Sequence, residues 1–235
     1  MRHTLVLTNG EAVDYQLERR QRRTLGLKIT AEGLVIHAPM RVSQRLIEDL
    51  IKQKSDWVLK KLTALQSKQV APFAWQHGDK LWLLGNEVTL TVQIEPRVKA
   101  VRYDAGLVQI GLPNIDDKTV ISHKIIQWYK KEALADFARR LSVHSAKLGV
   151  NTPKLLLSNA KSRWGSCNSK KEVRLNWRLL QAPPHIINYV ICHELAHLKE
   201  MNHSAKFWAV VASIYPDYKQ AEKDLKTWSP TMHII

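Results

Sequence analysis

The chain has 235 residues, of which 45% are hydrophobic and 24% are charged, as in an ordinary globular protein. Nine Gly and nine Pro exclude a collagen-like or low-complexity chain, and two cysteines are too few for a disulfide framework. A formal net charge of +15 would attract nucleic acid or another polyanion. No apolar run has the length of a signal peptide or a membrane-spanning helix, so we expect a cytoplasmic protein with no membrane partner.

The first 115 residues are predicted to be rich in β-strands. Apolar alternation and turn residues predict strands near 4–7, 12–17, 25–30 and 34–38, and again near 80–84, 87–94, 100–103 and 107–110. One helix interrupts them at about 43–65, with Ser43 as its N-cap. A polar stretch at 66–70 is a candidate linker after this helix.

From residue 116 the hydrophobic period becomes helical. A long helix at about 117–147 ends at Gly149, and two short strands follow at 154–158 and 173–176. Pro183 and Pro184 precede a helix at about 185–200, and two further helices follow at 205–215 and 218–227. We therefore predict an α+β fold with two domains, a β-rich region at 1–115 and a helix–strand–strand–helix–helix core at 116–235.

The strongest chemical signal is the sequence His193-Glu194-Leu195-Ala196-His197, an H-E-x-x-H pattern. Residues four apart lie on one face of a helix, so the two imidazoles can bind one Zn²⁺. Glu194 is rotated about 100° from His193 and lies beside the metal, where it can accept a proton from an activated water. The pattern predicts a metal-dependent hydrolase with Glu194 as its catalytic base.

A catalytic zinc usually has three protein ligands, and His203 is the first candidate for the third. The spacing from His197 cannot be helical throughout, so the chain must leave the helix, plausibly at Met201-Asn202, and return. Asp217 or Glu222 from the following helices is the competing assignment. Cys167 as a fourth, inhibitory ligand is less favoured than a small buried thiol.

Four motifs in chain order resemble the YgjP-like zinc metallopeptidase domain, a family related to the SprT and WLM metalloprotease-like domains. They are Arg163–Cys167, Leu175–Leu179, Tyr189–His197, and Asn202-His203-Ser204 with Phe207-Trp208. The resemblance covers about residues 117–228. It implies a minimal gluzincin-like α+β core, a zinc ion held by His193, His197 and His203, and Glu194 as the catalytic base.

The residues that would contact substrate are less well marked. Arg163 and Arg178 are candidates in a cationic segment that would favour acidic groups or phosphates, and Tyr189 is a candidate for stabilising an oxyanion. Each has a structural alternative: hydrogen bonds to loop carbonyls for Arg163, and packing for Tyr189. The strand at 173–176 could be an edge strand that adds a substrate strand, or its charges could protect that edge.

Three functions remain open from the sequence. The first is a zinc metallopeptidase acting on peptides or proteins. The second is a zinc hydrolase of a phosphoanhydride such as a nucleotide, although no Gly-rich phosphate loop is present. The third is a non-catalytic module that binds nucleic acid or protein around a structural zinc. Glu194 separates the third function from the first two.

Overall fold

The computed structural model describes residues 2–7, 9–30, 33–66 and 73–235, and the chain divides into two compact units. Unit 1 is Met1–Ala71 and unit 2 is Pro72–Ile235. This division differs from the expected boundary after residue 115, because the strands before that point share a hydrophobic core with the helix that follows them. The candidate linker at 66–70 lies, apart from residue 66, outside the described residues. The mixture of sheets and helices confirms the predicted α+β class.

Unit 1 contains a four-stranded sheet and two helices. In the order β1-β2-β4-β3 the middle pair is parallel and the outer pairs are antiparallel. The elements are β1 (Arg2–Val6), β2 (Ala12–Arg20), β3 (Gly26–Thr30), β4 (Gly33–Pro39), α1 (Gln44–Gln53) and α2 (Ser55–Gln66). Ser43 caps α1 by accepting a hydrogen bond from the Leu46 amide, as predicted. The single helix expected at 43–65 is two helices, because Lys54 leaves helical geometry at φ −104° and ψ 18°.

Unit 2 begins with a second four-stranded sheet, ordered β5-β6-β8-β7, and a long helix. These elements are β5 (Lys80–Leu83), β6 (Asn86–Ile94), β7 (Arg102–Asp104), β8 (Leu107–Leu112) and α3 (Lys118–Leu148). Side chains at every fourth position of α3 are buried and join the sheet to the rest of the unit: Ile121, Ile125, Tyr129, Ala133, Phe137 and Leu141. Gly149 ends α3 in the left-handed conformation that glycine adopts easily.

A three-stranded sheet follows α3 in the order β10-β11-β9. Its strands are β9 (Leu155–Ser158), β10 (Gly165–Cys167) and β11 (Val173–Asn176). The suggestion that the strand at 173–176 is an edge strand is wrong, because β11 pairs with β9 on one side and with β10 on the other. The edge strands are β9 and β10, and β10 lies in a segment predicted to be a loop.

The remaining elements are helical: a 3₁₀ helix at Trp177–Gln181, α4 (Pro184–Ala196), α5 (Ala205–Ile214) and α6 (Tyr218–Met232). Proline at the first position starts α4, because proline lacks the amide hydrogen that a helix start leaves unpaired. Nine of the thirteen residues of α4 are buried, so this helix runs through the core of unit 2. Among the described residues, no helix combines the length and the apolar character needed to cross a membrane.

Candidate metal centre

The H-E-x-x-H residues lie at the carboxyl end of the buried helix α4. The helix ends at Ala196 with His197 as its C-cap, four residues earlier than the end predicted near residue 200. The chain then turns, and Ser204 begins α5 by accepting a hydrogen bond from the Phe207 amide at 3.4 Å. His203 stands directly before this cap, so the early end of α4 gives the chain room to return towards the helix.

The ring nitrogens of His193, His197 and His203 come together at one point. One ring nitrogen of each residue lies within 4.8 Å of the other two, and the Nε2 atoms of His193 and His203 are 3.1 Å apart. Two nitrogens that bind one zinc at about 2.0–2.1 Å lie roughly 3.3–3.4 Å apart in tetrahedral geometry. The cluster therefore fits a single divalent metal ion.

Surrounding groups favour the neutral imidazoles that a metal requires. Burial, with smaller contributions from the neighbouring His197 and His203, lowers the pKa of His193 to about 4. Burial also lowers the pKa of His197. His197 Nδ1 donates to the Glu200 carbonyl oxygen at 3.2 Å, which leaves the Nε2 lone pair available. Neutral rings can bind a metal without first losing a proton.

Phe207 forms an apolar wall behind the three histidines. Its fully buried ring lies with its centroid 4.9 Å from that of His193, 4.6 Å from His197 and 4.7 Å from His203. The sequence predicts no role for Phe207 beyond its place in a family motif. The sequence clue to this position is the Ser204 cap, which places Phe207 in the first turn of α5, next to His203.

Glu194 lies beside the three ring nitrogens and is not one of the clustered donors. The side chain is 5% exposed, and burial raises its pKa to about 8 against a smaller opposing effect of the Arg163 charge. Within the described residues its carboxylate accepts no hydrogen bond. Gly165 packs directly against it, since a Cβ atom at residue 165 would lie 2.4 Å from Glu194 Oε1. The absence of a side chain at Gly165 therefore allows the backbone of β10 to approach α4 closely.

A cleft of about 540 Å³ opens in front of the cluster. Its lining residues are Ser162, Arg163, Gly165, Ser166, Cys167, His193, Glu194, His197, Met201 and His203. Cys167 faces this cleft, but its sulfur is not one of the clustered donor atoms, and burial raises the pKa of its thiol. Asp217 and Glu222 are also absent from the cluster that the described residues form.

The three candidate substrate residues have different surroundings. Arg163 is exposed and lines the cleft. Arg178 does not line it, because its guanidinium donates to the Ile235 carbonyl oxygen and to Asn159 Oδ1 and lies over the Trp177 ring. Tyr189 is 4% exposed and packs one turn before His193, with ring centroids 6.0 Å apart. Arg178 and Tyr189 are therefore placed as packing residues, and Arg163 alone of the three is in reach of a ligand in the cleft.

An α+β fold with a histidine cluster and a buried glutamate at the end of a core helix is the arrangement of a metal-dependent hydrolase. A family model described as "YgjP-like, metallopeptidase domain" matches residues 23–228. The chain belongs to this YgjP-like family. Membership implies a divalent metal ion, and the three imidazoles are the donors that fit it.

Individual relatives match shorter parts of the chain. The UTP pyrophosphatase of Escherichia coli (strain K12) is 33% identical over 88 residues, which are 37% of this chain and 53% of that enzyme, so the chain spans about half of its length. The metallopeptidase zymogen abylysin of Pyrococcus abyssi is 26% identical, over 39% of this chain and 92% of its own, with a TM-score of 0.37. The zymogen jannalysin of Methanocaldococcus jannaschii is 21% identical, over 39% of this chain and 94% of its own, with a TM-score of 0.36.

Proposed function

We propose that this protein is a zinc-dependent metallopeptidase in which His193, His197 and His203 hold the metal and Glu194 is the catalytic base. The observation that carries the proposal is the convergence of three ring nitrogens within 4.8 Å beside a buried carboxylate. Imidazole nitrogens are common zinc ligands, and three of them leave one position open for water or substrate. This ligand number is typical of catalytic zinc sites, whereas structural sites usually have four protein ligands.

The chemistry divides between the metal and the protein. A bound zinc would lower the pKa of a coordinated water and polarise the carbonyl oxygen of the peptide bond to be cleaved. Glu194 accepts the proton of the attacking water on a carboxylate oxygen and then donates it to the leaving nitrogen. Burial raises the pKa of Glu194, so this carboxylate holds an accepted proton more strongly than an exposed carboxylate would. Arg163, on the cleft wall, is placed to orient an anionic or carbonyl group of the substrate.

An extended peptide fits the shape of the cleft wall. Strand β10 is an edge strand with one neighbour, β11, and all three of its residues line the cleft. An edge strand presents unpaired backbone N–H and C=O groups, to which an extended peptide can add as a further strand. This feature supports a peptide or protein as the first candidate substrate.

A nucleoside triphosphate is the second candidate substrate. Two observations favour it: a relative named UTP pyrophosphatase shares 33% identity over 88 residues, and the cationic Arg163 lines the cleft. Guanidinium groups bind phosphate oxygens through paired hydrogen bonds. In this case the same Glu194 would activate the water that attacks the phosphoanhydride.

One set of assays tests the function and divides the two substrate classes. The purified full-length chain, loaded with zinc or treated with a chelator, is incubated with a mixture of unstructured peptides and separately with UTP and other nucleoside triphosphates. We expect peptide cleavage that requires zinc, and zinc-dependent pyrophosphate release would favour the second candidate instead. Glu194→Gln should keep zinc and lose at least about 100-fold in turnover. Turnover that survives in this variant or in the chelated protein would refute the mechanism, and no turnover of either class would favour the non-catalytic alternative.

The two cysteines bear on the compartment. Cys192 is fully buried and Cys167 is half-buried, and neither is in a disulfide. Free thiols are typical of a reducing environment. We therefore propose a cytoplasmic location, and the net charge of +15 keeps a polyanionic partner as a further proposal.

A further inference from the structure

The position of the Glu194 carboxylate depends on packing. The side chain is buried, and within the described part of the chain it accepts no hydrogen bond that would fix its orientation. The backbone of Gly165 packs against it, since an added Cβ would lie 2.4 Å from Oε1, 2.7 Å from Cγ and 2.8 Å from Cδ. Whatever fixes the backbone of β10 therefore limits where the carboxylate can lie.

The residue before Gly165 is held by two different segments. The Trp164 carbonyl oxygen accepts a hydrogen bond from the Asn176 amide at 2.8 Å, which ties it to the end of β11. The Trp164 indole Nε1 donates to Ser229 Oγ at 3.2 Å, and its ring stacks on His233 with centroids 4.6 Å apart. The indole thus joins the edge strand β10 to the last turn of α6.

The end of α6 is itself fastened to the core of unit 2, so it can act as a fixed support. Gln181 Nε2 donates to the Met232 carbonyl oxygen at 2.9 Å in a buried position, and Arg178 donates to the Ile235 carbonyl oxygen. Met232 is fully buried, and Trp228 packs edge-on against Trp82 with centroids 5.0 Å apart. These contacts do not involve Trp164, and they hold the segment to which its indole binds.

We propose that Trp164 is a positioning residue: its indole, held by Ser229 and His233, keeps the backbone of Gly165 against Glu194. The inference rests on the proposed function insofar as Glu194 is the catalytic base. It adds to that function a link from the end of α6 to the cleft. A hydrogen bond between two side chains that do not line the cleft would then limit the turnover rate without contacting substrate.

The kinetic test is a double-mutant cycle. Trp164→Phe keeps an aromatic ring on His233 but loses the indole N–H, and Ser229→Ala removes its acceptor. We expect each variant to lower kcat about 10-fold with KM and zinc affinity unchanged, since a displaced catalytic group lowers the rate without weakening binding. Because both changes remove the same hydrogen bond, the double variant should lose no more than either single variant. Trp164→Ala should lose more than Trp164→Phe.

Trp128→Phe is the matched control. Trp128 is a half-buried tryptophan of α3 whose ring contacts are with Tyr103 and Tyr129, so it supports neither the end of α6 nor β10. We expect its kcat to stay within twofold of the parent. An equal loss of kcat in Trp128→Phe and Trp164→Phe, or additive losses in the Trp164→Phe and Ser229→Ala pair, would overturn the proposal.

A second readout is independent of catalysis. Cys167 lies two residues after Gly165 on β10, and a thiol-disulfide exchange reagent applied to the metal-free protein reports how readily this strand opens. We expect faster modification of Cys167 in Trp164→Phe and Ser229→Ala than in the parent, while the fully buried Cys192 serves as an unreactive internal control. An unchanged rate in both variants would overturn the proposal even if Glu194 is the base. Suppose that Glu194→Gln stays active while Cys167 is modified faster in Trp164→Phe and Ser229→Ala. The proposed function would then fail, and the support of β10 by Trp164 would stand.

Discussion

The Nε2 atoms of His193 and His203 lie 3.1 Å apart, although one belongs to a core helix and the other to an exposed turn ten residues later. Two ring nitrogens at this distance either share one proton or direct two lone pairs at one ion. The ring nitrogen of His197 lies within 4.8 Å of both, and a group of three donors favours the ion, because one proton joins only two nitrogens. His203 is therefore the residue whose removal tests the ligand set most directly.

His203→Ala should weaken zinc binding by more than the roughly 10-fold to 100-fold cost of losing a residue that only supports a ligand. The measurement is competition for zinc with a chromogenic chelator at pH 7. His185→Ala is the control, because His185 is an exposed histidine at the start of α4 and pairs with Asp224 at 2.8 Å. Equal zinc affinities for the His203→Ala and His185→Ala proteins would remove His203 from the ligand set.

Gly165→Ala should lower kcat strongly, by about 100-fold, because the new methyl group occupies the space of the Glu194 carboxylate. Zinc binding should be retained, since no clustered nitrogen is displaced. Steady-state kinetics and metal content measure the two effects on one sample.

Gly111→Ala is the control for this substitution. Gly111 is also a strand glycine, and its added Cβ would lie 2.5 Å from Cγ of Glu95, a partly exposed glutamate directly after β6. The two added methyl groups would clash at similar distances, but the one at residue 111 meets Glu95, which is outside the cleft. If Gly111→Ala lost as much kcat as Gly165→Ala, general destabilisation would explain both results.

Arg163→Ala should affect substrate binding, whereas Arg178→Ala should affect stability. Arg163 lines the cleft and makes no hydrogen bond within the described residues, so its loss should raise KM at almost constant free energy of unfolding. Arg178 donates to Ile235 and Asn159, so its loss should lower the free energy of unfolding by about 1–3 kcal/mol. Urea unfolding and steady-state kinetics on both variants check this pair, and a stable Arg178→Ala protein with a raised KM would return Arg178 to the substrate site.

His144 should make stability depend on pH. Burial lowers its pKa, and the nearby Lys147 and Arg140 charges add to this effect, while a hydrogen bond with Asn188 opposes it. Below the ordinary histidine pKa of about 6.5, the unfolded state therefore binds the proton more readily than the folded state, and stability is lost as the pH falls. The metal-free parent should lose more unfolding free energy between pH 7.5 and 5.5 than the metal-free His144→Gln variant. Parallel pH profiles would show that His144 does not contribute.

Local features of the fold could be predicted from the sequence. Ser43 caps α1 and Gly149 ends α3 because each acts within a few residues of itself. The spacing from His193 to His197 places two donors together for the same reason. The need for the chain to turn back also predicts His203 as the third donor. The predicted turn at Met201-Asn202 is too late in the chain, because the helix already ends at His197.

Long-range pairing could not be predicted in the same way. Strand β11 lies in the middle of its sheet because it pairs in parallel with β9, and no period in either strand records that partner. Arg178 resembled a substrate residue because the sequence does not show that the end of α6 returns to meet it. The short strand β10 was predicted as a loop because three residues, the first of them glycine, carry too little strand pattern.

The long helix α3 joins the second half of the first predicted domain, from about residue 72, to the region of the metal site in one folding unit. Its buried stripe, with Tyr129 and Phe137 fully enclosed, belongs to the same hydrophobic core as the sheet β5–β8 and the metal-bearing helix α4. A fragment cut at residue 116 would leave that stripe without the sheet that covers one side of it, and would expose large aromatic surfaces to aggregation. A soluble minimal enzyme would instead begin near residue 72 and melt in a single cooperative step.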